Sequence, residues 1–170
     1  VIYNDDGSFN KYLFYPQNPD AVLVDSSVIA KAPVKFLIAG MGDALGTYFE
    51  GRASLRTESP SLESGGITRA GMAIAKACYD TLRKYGKAAI TACENNVVTP
   101  ALDAIIEATV YLSGVGADNV NCAAPHSFYN GVTSLGGHEA YHGNCVAFGT
   151  LIQLTLECAD KAEFEDIQNF

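Results

Sequence analysis

The chain has 170 residues, a formal net charge of −8 and a pI near 4.7, which argues against nucleic acids and anionic membranes as partners. Apolar residues make up 48% and charged residues 18%, as in a globular domain with a packed core. No run of about 18 apolar residues predicts a transmembrane helix, and no secretory signal pattern is present. The five cysteines form no Cys-x-x-Cys pair, which predicts reduced, structural thiols in a cytoplasmic protein.

The first 25 residues are predicted to be β-structure. Residues 1–3 and 11–15 are apolar or aromatic runs on either side of an Asp-Asp-Gly turn sequence. Residues 21–24 form a third, fully apolar run that suits a strand buried on both faces. No later stretch predicts a strand. We therefore place a domain boundary near residue 26, between the edge of a sheet-containing domain and an all-helical domain.

Helices are predicted throughout residues 26–170. Ser26 or Ser27 caps a short first helix, and a second begins at Pro33. The third begins after Thr68 and stops at Gly86, followed by a short helix over residues 90–93. The remaining predicted helices start at Thr99-Pro100, at Asn119 or Asn121, at His142 and near Ala162. The one that starts at His142 is apolar nearly all round, which predicts a central, buried helix.

All three histidines lie within residues 123–149, where Glu139 is the only ionised side chain at neutral pH. A glycine-containing bend at residues 135–137 separates His126 from His142, so their imidazoles can meet from neighbouring helices. Two neutral imidazoles in an apolar setting suit zinc, which usually takes a carboxylate or thiolate as well. We interpret His138, beside the bend, as a structural or solvent-facing loop residue.

Asp43 is the candidate carboxylate. It lies among apolar and very small residues in the second predicted helix, beside Gly40, Gly42 and Gly46. Each glycine costs a helix about 1 kcal/mol relative to alanine, which indicates close approach of another backbone or a ligand. Alternatively, Asp43 caps a neighbouring helix end. Taken together with the histidines, it predicts a metal ligand.

Asp43, His126 and His142 would leave a coordination position open, as in a catalytic rather than a structural zinc site. Such a metal can hold a substrate hydroxyl and act as a Lewis acid. The chain has no Lys or Arg from residue 88 to residue 160, which favours a neutral, hydroxyl-rich ligand over a phosphate or carboxylate.

Two other interpretations concern side chains near the histidines. Tyr129 could support the metal ligands, although a buried tyrosine with a satisfied hydroxyl is the simpler interpretation. Cys122 and Cys145 each lie close in sequence to a candidate histidine, so a Cys–His nucleophile pair is conceivable. No oxyanion-hole signature accompanies them.

Three segments of the chain resemble the glycerol dehydrogenases of the iron-containing, metal-dependent alcohol dehydrogenase superfamily. These segments are NPDAVLVDSSVIAKAPVKFLIAGMGDALGTYFE, AAPHSFYNG and YHGNCVAFGTLIQL. The resemblance implies a mainly α, dehydroquinate synthase-like fold. Residues 1–25 would be the last strands of an α/β NAD-binding domain, and residues 26–170 a truncated helical metal domain.

The resemblance also implies a function. Asp43, His126 and His142 fall on the family's three zinc ligands, with iron or another divalent metal as an alternative, and Tyr3 falls near the NAD contacts. The implied reaction is oxidation of glycerol, or a related small polyol, to dihydroxyacetone with hydride transfer to NAD. The resemblance also implies a homo-oligomer. It further implies that this chain is an internal piece of the enzyme and is inactive alone. The family usually has a histidine where Tyr129 stands, which bears on substrate preference.

Two alternatives remain open at this point. The chain could be a non-catalytic helical module. It could also be a phosphate-handling member of the same superfamily, such as a glycerol-1-phosphate dehydrogenase or a dehydroquinate synthase, although the absence of Lys and Arg near the histidines argues against that.

Overall fold

A small β-hairpin precedes the helices. The computed structural model describes residues 1–15, 17–62, 64–135 and 139–170. Strands β1 (Ile2–Tyr3) and β2 (Phe9–Lys11) pair antiparallel, with Ile2 opposite Lys11. Gly7, at a φ of +83°, supplies the left-handed turn between them. The predicted hairpin is therefore present, but its return strand is misplaced: it covers residues 9–11, whereas residues 12–15 of the predicted strand form no strand.

The third predicted strand is wrong. Residues 21–24 form no strand, and Leu23 is 96% exposed. An apolar run becomes a buried strand only where neighbouring strands pair with it. Within the described residues the only sheet is the two-stranded hairpin, which lies elsewhere.

The rest of the chain is helical, which confirms the predicted fold class. The helices are α1 (Ser26–Ala30), α2 (Val34–Arg56), α3 (Arg69–Glu94), α4 (Pro100–Glu107), a π-helical turn (Ala108–Leu112), α5 (Ser113–Asn119), α6 (Ala124–Thr133), α7 (His142–Leu156) and α8 (Lys161–Gln168). Thr68 and Thr99 cap α3 and α4 through their hydroxyls, as predicted. Asp25, rather than Ser26 or Ser27, caps α1.

Two predicted boundaries are wrong for local reasons. Gly86 does not stop α3, which continues to Glu94. It is buried beside the Phe170 ring and the Met41 sulfur, where a Cβ would make only ordinary van der Waals contacts. Helix α6 begins at Ala124 and not at Asn119 or Asn121, because its first N–H groups find their acceptor on another helix.

The core lies between α2, α3, α4 and α7. Its largest fully buried apolar side chains are Phe49, Leu82, Leu102, Ile105 and Leu154. Helix α7 is central, as predicted, but it is not buried all round, since Phe148 is 55% exposed. Among the described residues, none of the helices combines the length and apolar character that crossing a membrane requires.

Candidate metal centre

Glycines, which have no side chain, allow the backbones of α2 and α7 to pack closely together. A Cβ on Gly42 would lie 2.6 Å from the carbonyl oxygen of Gly143, and one on Gly143 would overlap the carbonyl oxygen of Ala39. The predicted close approach of another backbone to the glycines of α2 is therefore observed. Because Asp43 follows Gly42 and His142 precedes Gly143, the crossing places these two polar side chains side by side.

A second contact brings in α6. A Cβ on Gly149 of α7 would lie 2.7 Å from the Cα of Pro125, so α6 also packs against α7 at backbone distance. His126 follows Pro125 and faces the same space. Three helices thus deliver one polar side chain each to a single point.

The three candidate ligands meet around one carboxylate oxygen. Asp43 Oδ1 lies 3.0 Å from His142 Nε2 and 3.3 Å from His126 Nε2. The two imidazole rings are 5.2 Å apart, centre to centre. The Asp43 side chain is 42% exposed, so the site opens to solvent on the side that no ligand covers. These three side chains form a group able to hold a metal ion.

Glu50 supports this group, and the sequence analysis missed it. Its side chain is only 2% exposed, and its Oε2 lies 2.7 Å from Nδ1 of His126. Its Oε1 accepts hydrogen bonds from the backbone N–H groups of Ala123 and His126, at 2.7 and 3.1 Å. Glu50 therefore caps α6 from α2 and orients the His126 ring at the same time.

The sequence contains a pattern that could have identified Glu50 as part of the site. It follows Asp43 by seven residues on one helix, which places both carboxylates on the same face. A carboxylate on the inward face of an apolar helix needs a partner, because an unpaired buried charge is very costly.

The charges of the site stabilise one another. Burial works against ionisation of Asp43, but hydrogen bonds from His126 and His142 outweigh it and hold the pKa of this carboxyl well below its usual range. Burial likewise disfavours a charged His126, yet its bonds to Asp43, Cys122 and Glu50 raise the pKa of this imidazole far above its ordinary value. Without a metal, His126 therefore carries a proton between two carboxylates, which is the position that a cation suits.

Tyrosines line the site beside His142. The Tyr129 ring packs edge-on against the His142 ring at 4.2 Å. Tyr3, the predicted NAD contact, donates its hydroxyl to that of Tyr129 at 3.4 Å. Burial and the bond to Tyr3 raise the pKa of Tyr129 to about 12, so its hydroxyl keeps its proton at neutral pH. Nδ1 of His142 is buried and has no hydrogen-bond partner among the described residues.

The remaining predictions concern His138 and the cysteines. His138 lies outside the described residues, so its predicted role as a loop residue stays a prediction. All five cysteines lie within them and all are free thiols, as predicted. Cys122 lies beside His126 and contributes to the raised pKa of that imidazole, whereas Cys145 is a buried residue of α7 and burial raises the pKa of its thiol. The conceivable Cys–His nucleophile pair stays a prediction.

Known proteins share this architecture. No protein-family model matches the chain. A glycerol dehydrogenase from Escherichia coli is 48% identical over 168 residues, which cover 98% of this chain and 46% of that protein. The crystal structure of glycerol dehydrogenase from Schizosaccharomyces pombe superposes with a TM-score of 0.95 at 44% identity, over 98% of this chain and 43% of that one. The predicted resemblance to the glycerol dehydrogenases is confirmed.

Another relative carries a different name. Glycolaldehyde reductase from Halobacterium salinarum is 43% identical over 171 residues, covering 100% of this chain and 47% of that protein. The chain thus spans about half the length of the relatives it matches. The matched stretches cover 98% and 100% of this chain, so they include the segments that form α2, α6 and α7 here.

Proposed function

We propose that this chain forms the metal-binding part of an NAD-dependent dehydrogenase that oxidises glycerol, or a related small polyol, to dihydroxyacetone. The observation that carries this proposal is the convergence of Asp43, His126 and His142 from three helices, in a chain 48% identical to a glycerol dehydrogenase. Residues 1–25 would belong to the NAD-binding domain and residues 26–170 to the metal domain, with Tyr3 near the cofactor. A homo-oligomer is part of the same proposal.

The residues fit a divalent metal. One carboxylate and two imidazoles are the donors that zinc accepts in catalytic sites, and iron is the alternative. His126 would use Nε2, because its Nδ1 faces Glu50, and His142 would use the Nε2 that faces Asp43. When bound, such a metal supplies Lewis acidity that makes a substrate hydroxyl easier to deprotonate.

The protein's own side chains orient a metal ligand and favour one class of substrate. Glu50 fixes the His126 ring through Nδ1, and Tyr129 forms one wall beside His142 with a protonated hydroxyl. With Asp43 and Glu50 ionised and a divalent cation bound, the centre is close to neutral. No Lys or Arg of residues 88–160 adds positive charge, so a neutral polyol is favoured over a phosphorylated substrate.

The test uses the protein at its natural length, purified as wild type and as Asp43→Ala, His126→Ala and His142→Ala. Metal content is measured by elemental analysis, and activity as glycerol-dependent formation of NADH. We expect bound metal in the wild type and loss of both metal and activity in each variant. Full metal retention in the variants would show that these side chains are not the ligands.

A matched control is Asp80→Ala, which removes an exposed carboxylate on α3 whose partner is Lys76. This variant should keep wild-type metal content and activity. Glycerol phosphate, offered in place of glycerol, tests the phosphate-handling alternative directly. Glycerol-dependent activity that exceeds activity on glycerol phosphate supports the proposal, and the reverse order refutes the substrate class.

A further inference from the structure

A second group of ligating side chains adjoins the Asp43 centre and shares His126 with it. Glu50, Cys122 and His126 each offer one ligand atom, and these atoms all lie within 4.8 Å of one another. We propose that they form a separate, sulfur-containing site for a divalent cation that is softer than zinc, of the cadmium class. Occupation of this site would take His126 away from the Asp43 centre.

The donor chemistry separates the two sites. The second group offers a carboxylate, a thiolate and an imidazole, whereas the Asp43 centre offers no sulfur. Thiolate ligands favour soft metals, and two anionic donors balance the charge of a divalent cation. A soft metal should therefore prefer the second group, and a harder metal should prefer the Asp43 centre.

The two nitrogens of His126 face the two sites separately. Nδ1 lies 2.7 Å from Glu50 Oε2, and Nε2 lies 3.3 Å from Asp43 Oδ1. A neutral imidazole has a lone pair on one nitrogen and a proton on the other. A cation bound through Nδ1 therefore leaves the proton on Nε2, which then donates to Asp43 and cannot act as a metal ligand. The two sites should exclude each other.

The thiol is placed for such a role. Cys122 lies in the short connection between α5 and α6 and is half-buried, so a cation can reach it. Glu50 is held by the backbone of Ala123 and His126, so one donor is already fixed. The thiols of Cys78 and Cys93, by contrast, donate to backbone carbonyls within the core.

The experiment titrates the metal-free protein, at its natural length, with cadmium alone and follows the ultraviolet sulfur-to-cadmium charge-transfer absorption. Only a thiolate-bound metal gives this band, so it reports binding at a cysteine without any measurement of catalysis, and the cysteine variants assign it to the second site. We expect the band in the wild type and in His142→Ala, and its loss in Cys122→Ser. The matched control Cys145→Ser should keep it, because Cys145 lies in neither group.

A band of wild-type size in Cys122→Ser, or no band in the wild type, would overturn the proposal. Cys158→Ser removes the exposed thiol and keeps Cys122, so any part of the band that it loses comes from cadmium bound at Cys158. Cys122 is half-buried and the change is nearly isosteric, so misfolding is not expected. An unfolding midpoint equal to that of the wild type confirms that the lost band reflects a lost ligand.

Mutual exclusion is tested on the same proteins. Protein loaded with one equivalent of zinc should need more cadmium to develop the band than metal-free protein, and this difference should vanish in His142→Ala. Equal cadmium titrations of loaded and metal-free wild type would refute exclusion. Only the further consequence, inhibition of polyol oxidation by cadmium, rests on the proposed function. Failure of that function would leave the absorption result intact.

Discussion

Replacing Glu50 with glutamine should damage the Asp43 centre although Glu50 is not one of its proposed ligands. The carbonyl oxygen of the new amide would take the place of Oε1, since two backbone N–H groups, of Ala123 and His126, require an acceptor there. The amide NH₂ then faces Nδ1 of His126 and must donate to it. The imidazole would consequently carry its proton on Nε2, the nitrogen that the proposed metal needs.

The magnitude follows from this change of tautomer. Removing a hydrogen-bond partner of a metal-bound histidine typically lowers metal affinity about 10- to 100-fold, or ~1.4–2.8 kcal/mol. Because Glu50→Gln favours the wrong tautomer as well as weakening a bond, we expect about 100-fold. The metal dissociation constant, measured by competition with a chromophoric chelator on the protein at its natural length, gives this value directly.

Glu94→Gln is the matched control, since Glu94 is exposed at the end of α3. It should leave metal affinity unchanged. Metal affinity equal to wild type in a folded Glu50→Gln protein would refute the role of Glu50 in setting the His126 tautomer. A loss of helicity in that variant would instead point to its capping of α6, and Glu50→Asp then separates the two roles by keeping the charge.

Three further outcomes are expected. Because the raised pKa of His126 keeps this imidazole protonated at neutral pH in the metal-free protein, metal must displace that proton. Metal affinity should therefore fall about tenfold per pH unit on acidification, with proton release visible by calorimetry in buffers of different ionisation enthalpy; a pH-independent affinity would contradict it. Gly143→Ala should force α7 from α2, cost about 1–3 kcal/mol of unfolding free energy and lower metal affinity. Its control Gly131→Ala, with nothing within 4 Å of the new Cβ, should stabilise the protein by about 0.4–1 kcal/mol. Arg52→Ala should destabilise the fold because it removes the partner of Glu163 and one of the two arginines that pair with Glu157, whose side chain is 9% exposed. Thermal unfolding, with Arg69→Ala at an exposed arginine of α3 as the control, measures the loss.

The candidate ligands could be predicted from the sequence because each is chemically conspicuous. Asp43 is a charge among glycines and apolar residues, and His126 and His142 lie in a nearly uncharged stretch. The glycines of α2 even predicted that a backbone would approach there. Which backbone approaches could not be predicted, since Gly42 meets Gly143 about a hundred positions later and no local pattern encodes that pairing.

The errors have a common physical cause. The α6 boundary was misplaced because its acceptor is Glu50, which is 73 residues away in sequence from Ala123, whereas sequence patterns reveal only neighbouring caps. Gly86 predicts a helix stop, yet α3 continues through it to Glu94, because one glycine costs a helix only about 1 kcal/mol and tertiary packing overrides that cost. The apolar run at residues 21–24 predicts a strand, but strand formation depends on partner strands that the run itself does not specify.

The packing indicates that the proposed metal centre is arranged by the fold and not by the metal. Backbone contacts at Gly42, Gly143 and Gly149 fix three helices, and Glu50 fixes the His126 ring, so the ligands are held by the fold rather than by a cation. In small metal-folded domains, by contrast, binding energy is folding energy. Substitution of His142 should therefore remove metal and leave the fold, whereas substitution of Gly143 should damage both. That pattern of outcomes would place the proposed centre among preorganised sites, whose geometry is held by the surrounding fold.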